Sequence, residues 1–187
     1  VSNKDFVAWL KSEDREAKGF DTRNLKGGLA DPARDAYPAE GVTWQEAHDF
    51  CTTKGQTLPT EAQWEKSARG GCELDGNETQ CEPEDLRAYP WGAAAPSCEL
   101  ANHQNSADGA PELCVSDTVL ADALTAGAGP YGHNHLAGNV WEYVEDVWHP
   151  SVYAKDRRNP AGPKSGDIHV LRGGSWNTFS TNMRAAN

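Results

Sequence analysis

The stretch 136–150, LAGNVWEYVEDVWHP, carries the strongest pattern in the second half of the chain. Its apolar points fall at Val140, at Tyr143 or Val144, and at Val147-Trp148. Read as helix, the segment carries Glu142 and turns Glu145 and Asp146 to a solvated acidic face. Downstream, HVLRGGSW (169–176) reads as a short buried strand, with Gly173-Gly174 marking a bulge or a close backbone approach. Upstream, 72–135 loses regular patterning as Pro, Gly, Asp, Asn and Ala take over. A connection of that length inside a compact domain needs other restraints.

Two helices before it are well punctuated. LPTEAQWEKSARGG (58–71) has Thr60 as N-cap, Glu61 in the first turn and Gly70-Gly71 at the end. In 43–55, Thr43 and Glu46 form a capping box, Trp44, Ala47, Phe50 and Cys51 repeat at helical spacing, and Gly55 stops the run. Residues 1–19 predict a further helix with Ser2 as N-cap, Asp5 at N3, and Phe6, Trp9 and Leu10 on one face. Residues 20–41 read as loop.

The length of 187 residues fits one domain, 1–187. Hydrophobic residues are 37% of the chain, a low share that seven tryptophans partly offset. No apolar run approaches the ~18 residues of a membrane span. Lys+Arg 17 against Asp+Glu 28 gives a net charge of -11, which excludes a nucleic-acid or anionic-membrane surface and suits a protein with affinity for cations.

Cys72 and Cys81 bracket one polar loop, and Cys98 and Cys114 another. Two short-loop disulfides are the economical reading, the alternative being five reduced thiols in a cytosolic protein. The bridges point to an extracytoplasmic setting (secreted, periplasmic or cell surface) and leave Cys51 over. Without a CxxC pair, a structural zinc site is not expected. Asn77-Glu78-Thr79 is a glycosylation sequon, meaningful only in a eukaryotic secretory context.

Five segments in order, GVTWQEAHDFC, LPTEAQWEKSARGG, AYPWG, LAGNVWEYVEDVW and VLRGGSW followed by MRAAN, resemble formylglycine-generating enzymes and their sulfatase-modifying-factor relatives. VSNKDF at the start resembles the family's early V-T-N-x-x-Y/F segment. The resemblance implies a C-type-lectin-like α+β fold with little regular secondary structure, two helices packed on a short irregular antiparallel sheet. Against the family pattern the chain looks clipped at both ends, with further segments or a partner chain completing the fold. Cys51 matches a cysteine whose family partner lies in a closing segment absent here, so the resemblance implies no partner for it within 1–187.

Active members bind copper through two cysteines between G-G-S-W/Y and R-x-A-A. The matching stretch, Asn177–Met183, has none, and hydroxyls and carboxamides do not replace thiolates for Cu(I). The resemblance therefore predicts no copper and no catalytic residue of the known kind. It also implies one or two structural Ca²⁺ ions. One site takes Asn102, the His103 carbonyl, Asp117 and the Val119 carbonyl. The other takes His135, the Gly138 and Val140 carbonyls, and Glu142. Hard oxygens on irregular backbone suit Ca²⁺, whereas the imidazole of His135 is a departure.

His133-Asn134-His135 is the other metal-like spacing, since His-x-His on a strand puts both rings on one face. The tryptophans of the motif blocks read as core, Gly173-Gly174 as close packing, and Arg172 and Arg184 as buried or half-buried ion-pair partners. The leading expectation is a non-catalytic or re-purposed domain, calcium-stabilised, that binds a protein or glycan or acts as a scaffold. Its rivals are a metal- and O₂-dependent oxidase of protein cysteine or another thiol, and a structural subunit of a surface assembly. A similar G-G-S-W, Asn-rich, R-A-A-N run occurs in variable proteins of diversity-generating retroelements and in ordinary family members, so it does not discriminate.

Overall fold

Among the described residues, side-chain caps set where three α-helices begin. The computed structural model describes residues 1–16, 25–26, 29–76, 87–105, 112–150, 160–163 and 165–186. Helix α1 (Asn3–Ser12) is capped by Ser2, whose hydroxyl accepts from the Asp5 N–H and donates to the Asp5 carboxylate at 2.8 Å. It stops well short of residue 19, because the Glu13 N–H turns back to the Trp9 and Lys11 carbonyls and Asp14 enters a left-handed conformation. Helices α2 (Trp44–Thr53) and α3 (Glu61–Arg69) each start with a complete capping box, Thr43 with Glu46 and Thr60 with Gln63.

The strands are short and pair only in twos among the described residues. β1 (Leu25–Lys26) pairs with β2 (Leu29–Ala30), β3 (Gln104–Asn105) with β4 (Glu112–Leu113), and β5 (Glu142–Val147) with β6 (His169–Arg172), all antiparallel. The strand expected at 169–176 is β6. The helix expected across 140–148 is instead β5, which corrects the reading of that segment. Val144 is 0% exposed, Glu142 pairs across the ladder with Arg172, and the register shifts between Tyr143 and Val147. That irregularity is what let a strand imitate helical spacing.

Asp146 is consequently buried rather than solvated: its carboxylate accepts the first free N–H of α3, from Glu61 at 2.7 Å, and the Gly162 N–H. The peptide unit joining Val144 to Glu145 is held at both ends: the Trp44 indole donates to the Val144 carbonyl at 2.9 Å and the Glu145 N–H donates to the Pro59 carbonyl at 2.8 Å.

One apolar cluster joins α1 to α2 through Phe6, Val7, Trp9, Leu10 and Phe50; a second joins α3 to the β5–β6 ribbon through Trp64, Ala68, Leu136, Val144 and Ala185. The expected pair of helices on a short antiparallel sheet is thus α2 and α3 on β5–β6, with α1 outside. Trp64 fills the second cluster, and Gly173 lets the backbone approach it: a Cβ there would stand 3.2 Å from the indole. Arg172 is buried, lies near Glu61 and Glu65 at 3.5 Å each, and donates to the Ala185 carbonyl at 2.9 Å.

Three tryptophan and arginine expectations need correction. Trp141 and Trp148, which flank β5 on either side, are 44% and 58% exposed. Arg184 is exposed, with no ion pair among the described residues.

Candidate functional site

Two of the expected calcium residues, Asn102 and Val119, meet at a residue the sequence reading did not single out, Asn139. Gly138 and Asn139 both adopt left-handed backbone, at φ 77° and 67°. Gly138 is required there, since a Cβ would lie 2.3 Å from the Asn102 carbonyl oxygen. That close approach brings the Asn139 N–H to the Asn102 carbonyl at 2.8 Å. The Asn139 side chain accepts from the Val119 N–H at 2.8 Å and from the Asn102 carboxamide at 3.4 Å, and donates to the Val119 carbonyl at 3.3 Å. The signal available in the sequence was the Gly-Asn pair itself, since Asn tolerates this conformation better than other side chains.

Asn102, Asp117 and Val119 therefore do come together. The Asn102 carboxamide N–H₂ donates to the Asp117 carbonyl at 2.9 Å, and its Oδ1 is buried without a hydrogen-bond partner. An orphaned, desolvated carboxamide oxygen fits a hard cation. The other donors are shared. The Asp117 carboxylate takes the Arg34 guanidinium at 2.8 Å and the Thr118 N–H at 2.7 Å, the His103 carbonyl accepts the Cys114 N–H at 2.9 Å, and the Val119 carbonyl has the Asn139 amide. The donor set has the right chemistry, with one oxygen open and a guanidinium competing for the carboxylate.

The second set is more dispersed. His135 has φ 60°, and its Nε2 lies 3.1 Å from the Leu120 carbonyl; burial holds its pKa below the usual histidine value. The Gly138 N–H bonds the Gly173 carbonyl at 2.8 Å. Val140 is half-buried at a cleft of about 260 Å³ that also takes in Cys51, Leu58, Trp64 and Glu142. The Glu142 carboxylate accepts the Trp64 indole N–H at 2.6 Å, and burial pushes its pKa up to about 7 despite that bond. The side chains of His135 and Glu142 thus engage different partners.

His133 and His135 do not lie on a strand: His133 is exposed. The group of metal-type side chains the described residues bring together is instead Cys98, His103 and Cys114. Cys98 and Cys114 form the expected disulfide. Cys72 is also disulfide-bonded, while Cys81 and the Asn77 sequon lie outside the described residues. Cys51 is a free, half-buried thiol, and burial raises its pKa.

The segment after β6 folds back on the same cluster. The Trp176 N–H donates to the Asn139 carbonyl at 3.0 Å and the Gln104 N–H to the Thr178 carbonyl at 3.0 Å. Within the turn, the Thr178 hydroxyl accepts the Ser175 N–H at 3.0 Å, and the Ser175 hydroxyl bonds Asn177 at 2.7 Å. Hydroxyls and carboxamides line this turn and satisfy one another.

Short two-stranded ribbons, three capped helices and loops pinned by buried Asn and Gly define an α+β domain with little regular structure. Its sequence matches, over residues 1–187, the family described as Sulfatase-modifying factor enzyme 1-like domain, and the chain belongs to that family. It is 34% identical over 172 residues to the "Formylglycine-generating enzyme" of Streptomyces coelicolor, covering 85% of this chain and 48% of that protein. It is 32% identical over 200 residues to "Serine/threonine-protein kinase pkn1" of Chlamydia caviae, covering 100% of this chain and 28% of that protein. A "Hercynine oxygenase" of Mycolicibacterium smegmatis is 34% identical over 147 residues, 74% of this chain and 30% of that protein. The chain thus spans less than half the length of these curated relatives. The structure of PvdO from Pseudomonas aeruginosa superposes with a TM-score of 0.68 at 19% identity, covering 100% of this chain and 70% of that one, which shows the shared fold.

Proposed function

We propose that this chain is a re-purposed, non-catalytic member of its family, a calcium-stabilised domain that binds a protein or glycan ligand, or scaffolds an assembly, outside the cytoplasm. The observation that carries the reading is the turn at Ser175–Thr178. Where active relatives of the formylglycine-generating type hold copper with thiolates, this stretch offers Ser, Asn and Thr side chains already bonded to one another. No cysteine occurs in 177–183. The buried, unpartnered Oδ1 of Asn102 supports calcium at the first site, with the His103 and Val119 carbonyls and Asp117 as co-ligands once Arg34 yields the carboxylate. His135, Gly138, Val140 and Glu142 form the second candidate. The Cys98–Cys114 bridge supports an oxidising location.

The rival reading, a metal- and O₂-dependent oxidase acting on a cysteine or another thiol, draws on the names of two relatives, a formylglycine-generating enzyme and a hercynine oxygenase. Elemental mass spectrometry of the native protein separates the two. Calcium at one or two per chain without stoichiometric copper or iron is the expected result, and stoichiometric copper or iron overturns it. Chelation should lower the melting temperature, because a ligand that binds only the native state stabilises it by mass action.

A further inference from the structure

We propose that Cys98, His103 and Cys114 form a reduction-gated site for a borderline-soft ion of the zinc class. The two sulfurs and a ring nitrogen of His103 lie within 4.8 Å of one another. A tetrahedral ion with bonds of about 2.3 Å to sulfur and about 2.0 Å to imidazole spans ligand atoms separated by less than that.

His103 supplies the observation that points to a ligand. It is 1% exposed, yet neither Nδ1 nor Nε2 has a hydrogen-bond partner. Burying an imidazole with both nitrogens unsatisfied is costly, and structures rarely tolerate it without a reason. A coordinated metal would satisfy one of them.

The arrangement does not depend on the disulfide alone. Gln104 pairs with Leu113 and Asn105 with Glu112, so continuing the register sets His103 opposite Cys114, where the Cys114 N–H reaches the His103 carbonyl at 2.9 Å. Opposed residues in an antiparallel pair share a face. The ribbon therefore keeps the ring beside the Cys114 sulfur after the bridge opens, and Cys98 stands 5.3 Å from Cys114 between Cα atoms. Cys98 is exposed and Cys114 half-buried, so a reductant reaches the Cys98 sulfur first.

The opening step balances with a dithiol as reductant. Its thiolate attacks the Cys98 sulfur, and the bond to Cys114 breaks with its electron pair going to the Cys114 sulfur. The second thiol of the reductant then displaces Cys98, closing the reductant's own disulfide. Two electrons pass to the protein, which gains two thiols. Loading a divalent ion on both sulfurs releases two protons, and the fourth coordination position stays open to water.

The test uses the full chain, reduced with excess dithiol, desalted anaerobically and titrated with Co²⁺ alone. The expected result is one equivalent bound, with thiolate-to-cobalt charge transfer in the near ultraviolet, and none for the oxidised protein. Zinc-edge X-ray absorption of the reduced wild type should give two sulfurs and one imidazole nitrogen per zinc. His103→Gln should weaken Co²⁺ binding at least about tenfold, since even outer-shell losses reach that size. Cys72→Ser should leave binding intact. The proposal is overturned by equal binding before reduction, by no binding after it, or by a zinc shell without imidazole. Loss of binding in Cys72→Ser also overturns it, as does binding only by a reduced chain that has lost its near-ultraviolet circular dichroism. Should His103→Gln fail to fold, the wild-type absorption spectrum decides alone.

Discussion

The contact between α1 and α2 and the loop cluster around Asn139 are both buried, but they are held by different forces. Between the helices, the rings of Phe6 and Trp9 meet that of Phe50 beside Leu10, with Phe6 and Phe50 centroids 5.8 Å apart and Trp9 and Phe50 at 5.6 Å. That attraction scales with area and is indifferent to small rotations. Around Asn139, position is fixed by directional bonds between one carboxamide and Asn102 and Val119. Area tolerates redesign of the same volume, whereas a directional network fails when one atom is removed.

The largest effect should come from the area-driven side. Phe50→Ala removes the ring between α1 and α2 and should cost about 3–5 kcal/mol in urea unfolding. Phe50→Leu should restore most of it. A Leu variant as damaged as Ala would show that shape, not area, governs this contact.

Next comes the carboxyl of Glu142. Its folded-state pKa is raised from 4.5 to about 7 by burial, so the folded chain binds a proton that the unfolded chain releases. This contribution is fully present below about pH 4.5 and is lost as pH rises through 7, so stability should fall across that window. With about 1.4 kcal/mol per tenfold change in proton affinity, the loss stays below about 3 kcal/mol for this partly open group. Glu142→Gln should flatten the slope in thermal melts at pH 5 and pH 8. Excess calcium should flatten it too if Glu142 is a ligand, and a slope untouched by calcium would remove Glu142 from the second site.

Asn139→Ala should cost on the order of 2 kcal/mol, because it strands the Val119 N–H and carbonyl and the Asn102 amide in the interior. If Asn139→Ala costs less than Thr43→Ala, the directional network does not frame the loops. The cap removal, Thr43→Ala, should be the smallest effect at about 1 kcal/mol, read as a lower unfolding midpoint at unchanged slope.

The same contrast explains what was legible in the sequence. Helix starts are written locally, in Ser2, Thr43 and Thr60 and the residues three positions on, so all three could be read. Strand β5 could not, because its bulge breaks the two-residue alternation and Val140, Val144 and Val147 fall at helical intervals by coincidence. Asp146 was misplaced for the same reason: capping a helix 85 residues away leaves no local trace. Family resemblance named Asn102, Asp117 and Val119, which the structure brings near one another. It was silent on Asn139, whose role lies in bonds across the fold, and on Arg34, which meets Asp117 from 83 residues away.

The engaged peptide unit in the middle of β5 has a consequence for self-association. An open strand edge is a template on which a second chain can add by backbone pairing, and short twisted ribbons are poorly defended against it. Here the Val144 carbonyl is taken by the Trp44 indole and, at the other end of the same peptide unit, the N–H of Glu145 by the Pro59 carbonyl. A neighbouring molecule seeking to pair with this peptide unit must first evict an indole or part a helix-leading turn from the strand, depending on the side it approaches. A tryptophan on α2 thus works against aggregation as well as for packing.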